Sequence, residues 1–386
     1  MFDGWRRSRQ WKGMMGMAKS NLHALSELGQ SVWIDYLSRD MVHGGELERM
    51  MREDAVVGVT SNPTIFQKAI SSGKAYDAQL KELSDEHCDT VEAFFQLAER
   101  DISDACDLFR PVWEATGGRD GYVSIEVDPT LAYETKPSFD QAKRLWEQID
   151  RPNLLVKIPG TEPGLPAIED SIAEGRSINV TLIFSIDRYA DVAEAYIRGI
   201  ERLVESGGDP SRVASVASFF VSRVDSEADK QLEEIGTEDA LALRGKLAVA
   251  NAKLAYQRYK EIFSAERWHE LELKGASRQR CLWASTSVKN PEYRDTLYVE
   301  DLIGPETVNT MPEETIQAFQ DHGVVAETLE QGVDDAQRVF EGMEKVGVDY
   351  GDVTDVLEKE GVQKFSDSFK ELLDGITEKR GQLVTA

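Results

Sequence analysis

The feature that most limits what this chain can become is a repeated exchange of two periodicities, a short apolar run and then a long helical pattern. The runs are "SVWIDYL" (31–37), "AVVGVTS" (55–61), "GYVSIEVD" (121–128), "NLLVKIP" (153–159), "SINVTLIF" (177–184), "RVASVASFFVS" (212–222) and "CLWASTS" (281–287). "ETVNTMP" (306–312) is a weaker eighth, and the chain beyond it reads as helical and polar. Among the intervening stretches, "DTVEAFFQLAERDISDACDLFRPVWEA" is the clearest amphipathic helix. Strands separated by helices pair in parallel, so eight such units predict an α/β protein, a closed (β/α)8 barrel of the TIM type with additional helices. An open doubly wound sheet is the competing architecture, but no Gly-x-Gly-x-x-Gly follows the first strand.

No internal repeat and no Pro- or Ser-rich linker interrupts the pattern, so residues 17–386 are read as one barrel domain including its C-terminal helices. The first sixteen residues, "MFDGWRRSRQWKGMMG", are basic and tryptophan-bearing without an apolar core, and are expected to form a disordered extension rather than a secretory signal. Lys plus Arg number 44 against 70 Asp plus Glu, a net charge of −26. That acidity argues against nucleic acid or an anionic membrane as a partner, because both need a positive field. No apolar run approaches the roughly 18 residues that span a bilayer. Three widely spaced cysteines (Cys88, Cys106, Cys281) suit reduced thiols, which points to the cytoplasm. The five histidines never fall at helical ligand spacing, so no metal is expected.

In a parallel barrel, functional groups gather at the C-terminal ends of the strands, and side chains alternate between the barrel interior and the helix layer. Around Lys157, the apolar Leu154, Val156 and Ile158 form one face, which turns the lysine to the other. The same parity sets Ser124, Glu126 and Asp128 against Ile125 and Val127, and Asn179 and Thr181 against Ile178, Val180 and Leu182. It sets Trp33 and Asp35 against Val32 and Ile34, and Thr60 and Asn62 against Val59 and Ser61. Ser218 shares a face with Phe220, and Arg223 follows just past that strand.

Each of these residues also has a plain structural reading. Asn62 before Pro63 fits a helix N-cap with proline at the first position. Thr181 and Ser218 can satisfy local backbone groups, Asp35 can pair with an arginine, and Arg223 with Asp225 or Glu227. Lys157 can partner a buried carboxylate such as Glu126. Yet a lysine in a barrel mouth has a chemical use, since its neutral amine attacks a ketone carbonyl to give a Schiff base, an electron sink that needs no cofactor. Loss of water calls for an acid/base such as Glu126, and a carboxylate such as Asp35 can take a hydroxyl proton as a carbon–carbon bond breaks.

The stretches "GVTSNPTIF" (58–66), "SIEVDP" (124–129), "LLVKIPGT" (154–161), "INVTLIFS" (178–185), "ASFFVSRVD" (217–225) and "LWASTSVKNPEYRDTLYVEDLIGPETVNTMP" (282–312) together resemble the transaldolase family in its longer form. The resemblance covers nearly everything after Met17. It implies a barrel enzyme of the non-oxidative pentose phosphate pathway. Such an enzyme moves a dihydroxyacetone unit from sedoheptulose 7-phosphate to glyceraldehyde 3-phosphate, giving erythrose 4-phosphate and fructose 6-phosphate. By motif, Lys157 is similar to the Schiff-base lysine, Asp35 to the acid/base for bond cleavage, and Glu126 to a carboxylate that works through a water with Thr181. Asn62, Asn179 and Ser218 match positions that hold the dihydroxyacetone hydroxyls, and Arg223 and Ser285 match phosphate-binding positions. Many members carry Ala-Ser-Phe-Arg on the seventh strand where this chain reads Ala284-Ser285-Thr286-Ser287-Val288-Lys289. Lys289 supplies the second phosphate cation if that strand stays extended, sharing parity with Ser285 and Ser287. Two rivals remain: a fructose 6-phosphate aldolase-type lyase, and a silent barrel acting as a binding protein. The lyase branch resembles this barrel with a tyrosine where this chain has Phe220, and no expected catalytic residue is missing.

Overall fold

The computed structural model describes residues 20–71 and 73–385. The expected extension over residues 1–16 lies outside them. Strands β1 (Gln30–Ile34), β2 (Val56–Val59), β3 (Tyr122–Glu126), β4 (Leu154–Pro159), β5 (Ile178–Ile183), β6 (Ser215–Phe220), β7 (Arg280–Ala284) and β8 (Thr307–Met311) hydrogen-bond in chain order. β8 returns to β1 in parallel, Gln30 opposite Thr307 and Ile34 opposite Met311, so the barrel is closed. Closure removes the sheet edges and gives the strands two buried faces, one inside the barrel and one under the helices. All eight expected strands form, each a little shorter than its apolar run.

The interior is filled from the bottom by large and charged groups. Trp33 of β1 is fully buried and donates from Nε1 to Asp120 Oδ1 at 3.3 Å. The same carboxylate accepts from Ser31 Oγ at 2.8 Å and from Arg280 of β7 at 3.0 Å. This buried network ties β1 to β7 and to the turn before β3. It floors the barrel with groups that satisfy one another, as a low-dielectric interior demands. The indole needs room, and Gly58 of β2 provides it: a Cβ there would lie 2.5 Å from the Trp33 ring.

The chain after β8 departs from the polar reading of its sequence. The helix Tyr350–Thr385 buries Val353, Leu357, Val362, Phe365, Phe369, Leu372 and Ile376 at near-helical spacing. It crosses the C-terminal side of the barrel. Thr64 Oγ1 donates to Ser368 Oγ at 2.9 Å, and the Phe369 ring meets Phe94 edge-on at 5.5 Å. Gly361 lets the helix approach the end of β5, because a Cβ there would already stand 3.0 Å from Leu182. Tyr350 fixes one end, its hydroxyl accepting from Ile186 N at 3.0 Å and donating to Asn251 Oδ1 at 2.6 Å. Arg380 fixes the other, donating to Cys88 O at 2.7 Å and Ser84 Oγ at 2.9 Å.

Gly58→Ala is expected to destabilise the barrel by about 1–3 kcal/mol, the usual cost of overpacking a filled interior. Urea unfolding checks this, and an unchanged midpoint with an unchanged slope would show that Trp33 has room to move.

Candidate active site

Parallel register brings the two central charges together. Glu126, the last residue of β3, stands opposite Lys157 of β4, and Lys157 stands opposite Asn179 of β5. The three therefore line one inner wall near the C-terminal ends of their strands. Lys157 is 5% exposed and Glu126 6%. Nζ lies 3.3 Å from Glu126 Oε2 and donates to the carbonyl of Ser61 at 3.1 Å. The contact with Glu126 is an ion pair by distance rather than an aligned hydrogen bond, and neither carboxylate oxygen has a hydrogen-bond partner among the described residues. Thr181 Oγ1, also buried, has none either. Burial pushes the Glu126 carboxyl above the usual carboxylate range, with the nearby Lys157 and Arg223 charges opposing that rise.

Asp35 follows directly on β1 and is half-buried. Thr60, just past β2, donates from Oγ1 to Asp35 Oδ1 at 2.7 Å and lies 2.6 Å from Thr310 Oγ1 of β8. The acid is thus held by both strands that flank its own. Loss of water raises its pKa, while Lys157, the Thr60 hydrogen bond and Arg223 act against that. Two carboxyls with raised pKa values therefore flank one lysine, the arrangement from which acid and base roles are assigned.

A polar row runs below the lysine. Ser218 of β6 donates to Asn179 Oδ1 at 2.7 Å, and Asn179 Nδ2 donates to Ser124 Oγ at 3.1 Å. This fixes the asparagine amide across three strands. Asn62 caps the helix Pro63–Ser71, its Oδ1 accepting from Ile65 N at 3.1 Å, and it lines a cleft with Glu126, Phe66, Pro129 and Phe369. Its plain reading and its place beside the candidate site hold together.

Above this row lies Arg223, second residue of the helix Ser222–Ile235. It does not pair with Asp225 or Glu227. Asp225 turns inward, accepting from Ala248 N at 2.7 Å and Tyr298 OH at 2.8 Å, and Glu227 lies 3.8 Å from Lys230. The Arg223 guanidinium instead sits over the Phe220 ring at 5.0 Å and the Phe365 ring at 5.7 Å. Burial lowers its pKa, but an arginine remains charged at physiological pH. Ser285, just past β7, pairs Oγ to Oγ with Ser222 at 3.0 Å, beside Arg223.

The seventh strand does not continue in extended form. It ends at Ala284, and Ser285 takes a left-handed φ of +56°. The alternation that would set Lys289 on the face of Ser285 is lost there. Lys289 is exposed, donates to Ser287 Oγ at 2.6 Å, and lines a surface depression with Asp225, Asp229, Glu233 and Tyr293. β5 is irregular too: Leu182 has φ +59°, and the pairing with β6 shifts register between Val180 and Ile183. That bulge follows Thr181 directly.

Sequence parity placed Thr60 and Ser124 on the polar faces without giving them work, and they turn out to hold Asp35 and Asn179. Phe365 and Phe369 were missed, since nothing local connects a helix beyond residue 350 to a barrel mouth. Among the described residues, no group of three His, Cys, Asp or Glu side chains is placed to hold a metal ion, and no helix is long and apolar enough to cross a membrane.

The Asp225 carboxyl that anchors the Arg223 helix has its pKa pushed up to about 7 by burial, with Asp229 adding to the rise and the Ala248 and Tyr298 hydrogen bonds opposing it. A carboxyl whose folded pKa exceeds its unfolded value gives stability that is full below the unfolded pKa and lost as pH rises through the folded one. The thermal midpoint of Asp225→Asn should therefore gain on that of the parent chain between pH 5 and pH 8. A gap that stays constant over that range would refute the shift.

Residues 32–376 match the family model described as Transaldolase/Fructose-6-phosphate aldolase. A protein named Transaldolase from Mycobacterium ulcerans is 54% identical over 362 residues, 93% of this chain and 97% of the relative. One of the same name from Parafrankia sp. is 53% identical over 361 residues, 93% of this chain and 98% of its own. Another, from Mycobacterium bovis, is 52% identical over 368 residues, covering 95% and 98% of the two chains.

Proposed function

From the chain's membership of the transaldolase/fructose-6-phosphate aldolase family, we propose that it is a transaldolase acting on sugar phosphates through a Schiff base on Lys157. The carrying observation is a lysine buried in the barrel mouth 3.3 Å from Glu126, with Asp35 held at the neighbouring strand ends. The donor is sedoheptulose 7-phosphate or fructose 6-phosphate, and the acceptor glyceraldehyde 3-phosphate or erythrose 4-phosphate. The setting is the non-oxidative pentose phosphate pathway in the cytoplasm.

The neutral amine of Lys157 adds to the ketose carbonyl. The carbinolamine then loses its hydroxyl as water, with Glu126 supplying the proton through a water that Thr181 also holds. Among the described residues, neither the Glu126 oxygens nor Thr181 Oγ1 has a hydrogen-bond partner, which leaves them able to hold that bridge. Asp35 takes the proton of the hydroxyl next to the breaking carbon–carbon bond. The bond's electron pair passes into the imine, the aldehyde leaves, and an enamine stays on Lys157. The acceptor aldehyde reverses these steps. Asn62, Asn179 and Ser218 hold the dihydroxyacetone hydroxyls, and Arg223 with Ser285 holds the phosphate.

Transfer is favoured over the lyase reading by Phe220. Its ring packs on Phe184 at 5.2 Å and offers no hydroxyl with which to activate water against the enamine. Catalytic silence is disfavoured because the lysine and both carboxyls stand at one end of the barrel, Glu126 in contact with Lys157.

Borohydride trapping with fructose 6-phosphate should label Lys157 alone. Lys157→Ala should lose both adduct and turnover, Glu126→Gln should slow imine formation, and Asp35→Asn should form the imine but stall at cleavage, each catalytic loss on the order of 10²–10⁴-fold. Label on a peptide lacking residues 153–161 would sink the assignment, and equal loss of trapping in both carboxyl variants would refute the division of roles.

Lys289 contributes to phosphate binding only from the rim. Lys289→Ala should lower kcat/KM for glyceraldehyde 3-phosphate less than Arg223→Ala does, which parallel steady-state kinetics checks. The opposite order would move the phosphate toward Lys289.

A further inference from the structure

Arg223 is charged and half-buried, and among the described residues no hydrogen bond or ion pair engages it. Its fixed surroundings are two aromatic faces. Phe220 comes from β6, three residues earlier in the chain, and Phe365 comes from the helix Tyr350–Thr385, where it is 5% exposed. Glu360 on the same helix attracts the guanidinium but forms no ion pair with it.

A guanidinium is a planar fork whose N–H groups lie in the plane, while its faces hydrogen-bond poorly. Aromatic rings attract those faces and leave the rim free. A carboxylate partner would orient the fork as well, but it would occupy the donors and cancel the charge that a phosphate must meet. Two rings orient the fork without competing for it.

We propose that Phe365 is a positioning residue for phosphate recognition: it presses from the C-terminal helix on the face of Arg223 and holds the guanidinium plane toward the sugar phosphate. The role rests on the reading of Arg223 as the phosphate-binding arginine. It makes discrimination for phosphorylated substrates depend on a helix that follows all eight strands in the chain.

The test uses the full chain and its variants Phe365→Met, Phe365→Tyr and Arg223→Ala, each with its thermal midpoint recorded. Acceptor kinetics are measured at saturating sedoheptulose 7-phosphate with glyceraldehyde 3-phosphate and with unphosphorylated glyceraldehyde, and inorganic phosphate serves as an inhibitor. Phe365→Met keeps the bulk but removes the ring. It should lower kcat/KM for the phosphorylated acceptor about tenfold, mainly through KM, and weaken inhibition by phosphate similarly. Reaction with glyceraldehyde should change less than about twofold, and Phe365→Tyr should keep the discrimination of the parent chain. Phe365→Leu serves the same comparison if the methionine variant does not fold. Equal losses on both acceptors, or a folded tyrosine variant that behaves like methionine, would overturn the proposal. If Arg223→Ala leaves the discrimination intact, the phosphate reading of Arg223 is what fails. If Arg223→Ala abolishes it and Phe365→Met does not, that reading stands and the role of Phe365 falls.

Discussion

A buried lysine beside a buried carboxyl is the constraint on which the rest of this molecule depends. Removing either charge from water costs several kcal/mol, roughly, and the cost is recovered only where partners are fixed in place. Here the partners are fixed by sheet register, with Glu126 opposite Lys157 and a backbone carbonyl of the neighbouring strand end completing the contact. Register of that kind needs a closed wall. The wall in turn needs its floor, where Trp33, Asp120 and Arg280 join strands from opposite sides of the barrel.

The same constraint explains why the mouth is polar but poor in direct side-chain pairing. Asp35 leans on Thr60, and Asn179 on Ser124 and Ser218. Among the described residues, the Glu126 oxygens and Thr181 Oγ1 accept no hydrogen bond, Glu126 keeping only its ion pair with Lys157. The neutral groups that are tied together set geometry, and the groups left uncommitted are those that the proposed reaction uses. Arg223 extends this division, since its orientation comes from rings that take none of its donors.

Much of this was legible in the sequence because a strand's two-residue period is robust. The eight apolar runs became the eight strands, and the parity of Lys157, Glu126, Asn179 and Ser218 placed them inside. Parity failed where the backbone left the extended region. One left-handed residue at Ser285 ends the alternation before Lys289, and a second at Leu182 bends β5 just after Thr181. Neither residue type favours that conformation, so local sequence carries little signal of it. The N-cap role of Asn62 was readable from Asn-Pro, whereas the isolation of Arg223 from Asp225 was not. It depends on Ala248 and Tyr298, which reach the same helix from distant parts of the chain. The C-terminal helix read as polar because its apolar residues stand among many charged ones, and its destination is a matter of tertiary packing.

The position of that helix in the chain has a consequence for assembly. Lys157, Glu126 and Asp35 come together once β8 has been made and has closed on β1, while the segment carrying Phe365 is still to follow. During synthesis, the strands that carry Lys157, Glu126 and Asp35 are therefore made before the helix that covers them. A chain clipped before Phe365 would lack one of the two rings that face Arg223. In the proposed scheme, the order of elements separates making a nucleophile from choosing what it meets, and the choosing is synthesised last.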